Sequence, residues 1–109
     1  MEKPNCTLSA KFILSRMKIL AIEKEVEGAN WESQEETLRE EARKVYQLYL
    51  SGNLREIYFT QEKEAVLILE CDSLQSAKEF LNTLPLVQKN LISFDVKQLM
   101  PYTGLNRLF

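Results

Sequence analysis

Leu54-Arg55-Glu56-Ile57-Tyr58-Phe59-Thr60, then Gln61-Glu62-Lys63, then Glu64-Ala65-Val66-Leu67-Ile68-Leu69-Glu70-Cys71: this stretch decides the fold. Two runs rich in β-branched, aromatic and aliphatic residues flank a short polar break, the pattern of a β-hairpin. Pairing Thr60 with Glu64 sets Tyr58 opposite Val66, Glu56 opposite Ile68 and Leu54 opposite Glu70. Side chains alternate along a strand, so these six residues are expected on one face. Arg55, Ile57, Phe59, Ala65, Leu67 and Leu69 then make the other, which is apolar enough to pack on helices. The first face is apolar with acids set into it, and it too needs cover.

Outward from the hairpin, the chain alternates between two periods. Residues 1–10 are polar and read as a flexible leader, and residues 11–100 as one folded domain. Lys11–Ile22 fits a strand with polar interruptions or a short helix, the strand being preferred, and Glu23–Trp31, with Gly28 and Asn30, is taken as a loop. Ser33–Ser51 predicts a helix: Ser33 and Glu36 have capping-box spacing, and Leu38, Ala42, Val45, Tyr46 and Tyr49 form an apolar stripe. Gly52 tolerates the left-handed conformation that ends a helix. After the hairpin, Asp72 or Ser73 caps a second helix with the stripe Leu74, Ala77, Phe80, Leu81 and Leu84, stopped by Pro85. Ile92, Phe94 and Val96 alternate with polar residues in a last strand over Leu91–Met100. Residues 101–109 are a tail ending Leu108-Phe109, expected to pack on the domain or on a partner subunit.

Strand, helix, strand, strand, helix, strand, joined by right-handed crossovers, gives an α+β domain of ferredoxin-like βαββαβ type. A four-stranded antiparallel sheet then carries two helices on one face. The bare face is expected to meet a second copy, making a dimeric α/β barrel.

Composition excludes several classes. At 109 residues the chain fits a single core. A net charge of −2 leaves no electrostatic footprint for nucleic acid. The apolar runs are too short for a membrane span, and no secretory signal pattern opens the chain, which reads as cytoplasmic. The chain has no histidine, so the usual general base, the usual zinc ligand and any Ser-His or Cys-His pair are missing. Cys6 and Cys71 read as free thiols, since two cysteines make no disulfide framework.

Gly52-Asn53-Leu54-Arg55-Glu56-Ile57-Tyr58, and Phe80-Leu81-Asn82-Thr83-Leu84-Pro85-Leu86 followed by Phe94-Asp95-Val96, resemble the muconolactone isomerase family and its small relatives. The resemblance implies a dimeric or larger homo-oligomeric α+β barrel that shifts a proton within an unsaturated lactone, with no metal or organic cofactor. It places an arginine at Arg55. At the next position the isomerases carry histidine, and this chain has Glu56.

The candidate catalytic residues are Glu56, Tyr58 and Arg16. Glu56 is read as a general base, its pKa raised by apolar neighbours on the hairpin face. Tyr58 or Arg16 would steady the charge that develops on a carbonyl. The structural readings stand beside these. Glu56 and Glu70 fit edge charges or halves of ion pairs, Arg55 a partner for a carboxylate at the sheet edge, and Arg16 a structural partner of Glu70 or Asp95. Tyr46 and Tyr49 fit core positions, and Trp31 either lines a cleft mouth or simply packs. Three functions remain open: a cofactor-independent isomerase, a dimeric module binding a small apolar or aromatic ligand, and a structural dimer.

Overall fold

The structure, a computed structural model, describes residues 16–109. The expectations for the leader, for residues 11–15 and for Cys6 lie outside them. Met17–Glu25 forms β1, Glu35–Leu50 α1, Leu54–Phe59 β2 and Ala65–Cys71 β3. Leu74–Asn82 forms α2, Pro85–Gln88 α3 and Ile92–Leu99 β4, and a 3₁₀ turn covers Gly104–Leu108. The strands make one antiparallel sheet in the order β2-β3-β1-β4. The domain is therefore α+β, with the two longer helices on one side of the sheet. Leu48 of α1 and Ala77 and Leu81 of α2 share one core with Ile19, Ala21, Leu67 and Leu69 of the sheet.

The first strand runs past the expected end at Ile22 to Glu25. Glu23 and Glu25 sit in register with Phe94 and Ile92 of β4, so cross-strand pairing holds charged residues that read as loop in isolation. The hairpin pairs as expected through Tyr58–Val66 and Glu56–Ile68. The register then shifts between Leu54 and Glu56, and Leu54 pairs with Leu69 instead of Glu70. An extra residue in one strand is a β-bulge, and it reverses the side on which the following residues point. Leu54 is consequently only 1% exposed and belongs to the core, not to the face that carries Glu56. The same bulge corrects Arg55, which leaves the helix side and lies 3.8 Å from Glu70 in an ion pair.

In α1 the expected capping box is absent. Ser33 has φ 59°, a left-handed turn, and Gln34 is the N-cap residue, with no side-chain cap bond. The helix also turns a different face inward. Thr37 and Leu48 are buried and Glu41 and Val45 half-buried, while Leu38, Tyr46 and Tyr49 are exposed. Periodicity of apolar residues misplaces this face because two polar residues are accommodated on it. The Thr37 hydroxyl donates to Gln34 Oε1 at 2.8 Å, and Glu41 accepts the Leu86 N–H at 2.9 Å. The expected helix end holds, since Gly52 adopts φ 88° directly after Ser51.

Ser73 caps α2, its hydroxyl oxygen accepting the Ser76 N–H at 3.0 Å. Pro85 does more than stop that helix. It opens the one-turn α3 at a position where its missing N–H has no bond to lose. That turn brings the Leu86 N–H to Glu41.

Candidate functional site

The open face of the sheet carries the residues singled out in the hairpin. Leu20, Ile22, Val66 and Ile68 are half-buried there, ringed by Lys18, Glu56, Tyr58, Glu70, Asp95 and Lys97. The Tyr58 hydroxyl donates to Glu56 Oε1 at 2.8 Å. That bond to a carboxylate holds the Tyr58 phenol above its ordinary pKa, with the Glu56 charge adding in the same direction. Both side chains are exposed, so the apolar enclosure expected around Glu56 is not formed within one chain.

Arg16 does not join them. Its guanidinium donates to Asn53 Oδ1 at 2.8 Å and to the Glu70 backbone carbonyl, at the Met17–Cys71 end of the sheet. The Glu70 carboxylate is taken by Arg55. Glu70 is half of an ion pair, as its structural reading has it, but with Arg55; Arg16 binds the Asn53 side chain and the Glu70 backbone carbonyl instead of the carboxylate of Glu70 or Asp95. Trp31 donates from Nε1 to Glu25 Oε2 at 3.0 Å and lies in the loop before α1.

A second place, absent from the sequence reading, lies on the other side of the sheet. Between α1 and the Phe59–Ala65 end of the hairpin is a cavity of about 280 Å³. Leu38, Val45, Ile57, Phe59, Leu84 and Phe94 make walls that are almost wholly apolar. Two acidic residues border it, Glu23 from β1 and Glu41 from α1. Each is fixed by one backbone donor: Ala65 N–H to Glu23 Oε1 at 2.8 Å, and Leu86 N–H to Glu41 Oε1 at 2.9 Å. Burial pushes the Glu41 carboxyl up from its ordinary range. The Leu86 hydrogen bond opposes that rise, and the Glu23 charge adds to it. A carboxyl with a raised pKa in an apolar cavity is poised to exchange protons nearer neutrality than a surface glutamate. Other depressions of about 360 and 550 Å³ are more polar-lined, the latter by Arg16, Lys18 and Glu70 at the sheet end.

The sequence carries only a weak signal for this site. Glu41 sits beside the expected stripe of α1, and Glu23 sits in a run of charges after an apolar strand. A polar residue one step from a stripe is ordinarily solvated. Only the fold, by laying α3 against α1, supplies the N–H that holds Glu41.

The Cys71 thiol is buried, and burial raises its pKa, which makes it a poor nucleophile. Among the described residues no cluster of acids, cysteines or histidines has metal-binding geometry, and no helix is long and apolar enough to cross a membrane. No family model matches the chain, and no curated protein matches it.

Proposed function

We propose that the chain is a ferredoxin-like subunit of a homodimeric α+β barrel that moves a proton within a small unsaturated lactone or related carbonyl compound without a cofactor. Glu41 is the proton-carrying group. The observation that carries this reading is the half-buried Glu41 carboxyl, oriented by the Leu86 N–H inside an apolar cavity. The βαββαβ order and the strand order β2-β3-β1-β4 support the fold name. The uncovered aliphatics Leu20, Ile22, Val66 and Ile68 support pairing of two sheets through their open faces. In such a dimer the Glu56–Tyr58 pair lies at the contact, and its role is to orient that contact or wall a cleft within it.

The reaction has a simple balance. The Glu41 carboxylate removes a proton next to the lactone carbonyl, the electron pair spreads over the conjugated system, and the protonated carboxyl returns the proton at the far carbon. No net proton or electron is exchanged with solvent. A panel of butenolides, followed by the absorbance change that accompanies movement of the double bond, tests this. Turnover that falls at least a hundredfold in Glu41→Gln supports the reading, and turnover unchanged in that variant removes Glu41 from the role.

One observation favours the alternative of a small-ligand-binding module without turnover. Among the described residues no lysine or arginine lines the cavity to steady an enolate, and Arg16 is committed to Asn53 and Glu70. Butenolides that bind without rearranging would establish it.

A further inference from the structure

The charge of the cavity walls restricts what can enter. Among the described residues its lining holds two acids, Glu23 and Glu41, and no base. The basic side chains that approach the sheet are engaged or placed elsewhere: Arg16 is bound to Asn53 and the Glu70 carbonyl, and Arg55 faces Glu70. The N–H groups of Ala65 and Leu86 already hold the two carboxylates. An anion entering here would lose part of its hydration, lie beside two acids and, among the described residues, find no basic side chain. Size sets a second limit. A volume of about 280 Å³ corresponds to roughly nine waters at about 30 Å³ each, which suits a single ring with short substituents.

We propose that the Glu23–Glu41 cavity takes uncharged, compact, largely apolar carbonyl compounds and rejects those carrying a carboxylate. This rests on the cavity being the functional site, and it deepens that reading by naming the ligand class. Glu23 is the selecting residue. Its strand holds it rigidly opposite Phe94, and the Ala65 N–H fixes its carboxylate. Apolar walls make its charge felt more strongly than it would be on the surface.

The test uses two probes on the full chain: a methyl-substituted butenolide, and the same ring bearing a carboxymethyl group in place of the methyl. Backbone amide NMR at pH 7 reads binding at Ala65 and Leu86, the amides that report directly on the two carboxylates. The uncharged ring is expected to shift both amides saturably at millimolar concentration or below, and the carboxymethyl ring to bind at least tenfold more weakly. Glu23→Gln, which can still accept the Ala65 N–H, is expected to narrow that gap at least threefold. A carboxymethyl ring that shifts the same amides as tightly as the uncharged one overturns the ligand class and leaves the cavity as a site. If neither probe moves Ala65 or Leu86, the cavity is not a site for such rings, and both proposals fall. A gap unchanged in Glu23→Gln, with the variant folded by its amide spectrum, overturns the role given to Glu23.

Discussion

Ile68→Asp probes the pairing of open sheet faces. Leu20, Ile22, Val66 and Ile68 are half-buried in one chain, with nothing above them among the described residues. Full burial of an aliphatic side chain is worth about 1.5–3 kcal/mol, and no more than about a third of each remains uncovered, so pairing adds at most about 0.5–1 kcal/mol each. Over these residues in two copies, the gross gain on pairing is at most about 4–8 kcal/mol. Loss of rigid-body freedom offsets an estimated 4–15 kcal/mol of this. Dimerisation is then a narrow balance that one defect can tip. A two-fold interface repeats every substitution, so Ile68→Asp removes two apolar contacts and buries two unpaired carboxylates. At several kcal/mol for each buried ion, a loss on the order of 6 kcal/mol weakens association by about ten-thousand-fold. In sedimentation equilibrium at micromolar concentration the wild type is expected to run as a dimer or larger, and Ile68→Asp as a monomer with unchanged far-ultraviolet circular dichroism. Tyr46→Asp, on the exposed side of α1, is expected to leave the dimer intact. A monomeric wild type, or an Ile68→Asp variant that stays dimeric, refutes the reasoning.

Carbon-detected NMR titration of the Glu41 carboxyl is expected to give a midpoint above the ordinary glutamate value of about 4.3. Because the folded state then binds this proton more tightly than the unfolded state, Glu41 lowers stability as pH rises above the unfolded value, and the penalty is complete above the folded pKa. Glu41→Gln is accordingly expected to melt no lower than wild type at pH 7, and at pH 3 to lose whatever advantage it holds there. Leu69→Ala empties a fully buried site at the centre of the core and is expected to cost about 2–5 kcal/mol in urea unfolding. The tail side chains Leu105, Leu108 and Phe109 are 60%, 77% and 103% exposed on their own chain. Removing residues 104–109 is therefore expected to weaken the dimer in sedimentation while leaving the monomer fold unchanged; equal association with and without them would show that the tail has no part in the interface.

The sheet was legible because its strands carry apolar and β-branched residues in short runs or in alternation with polar ones, and the hairpin register from Tyr58 to Val66 follows from the length of its turn. The bulge at Leu54 to Glu56 was not, since one inserted residue leaves no mark on an alternating pattern. It moved Leu54 into the core and brought Arg55 to Glu70. The inward face of α1 was misread for a related reason. Thr37 and Glu41 are polar by type, and the partners that let them turn inward, Gln34 and the Leu86 N–H, are visible only once the chain has folded. The same contact hid the cavity. Of the residues proposed for chemistry, Glu56 and Tyr58 do meet, across one strand at 2.8 Å, because alternation puts positions two apart on the same face. Arg16 is drawn to the sheet end by acceptors that spacing does not reveal.

The central claim is that Glu41, under α1, carries the proton. It is tested most directly by following deuterium incorporation into an uncharged butenolide, which requires the proton on the carboxyl to exchange with solvent before it is returned, with wild type, Glu41→Gln and Glu56→Gln run side by side. The account expects exchange catalysed by wild type, retained within about threefold by Glu56→Gln and reduced at least a hundredfold, about 2.7 kcal/mol of barrier, by Glu41→Gln. Exchange that survives Glu41→Gln and disappears in Glu56→Gln would contradict it and move the chemistry to the open face of the sheet.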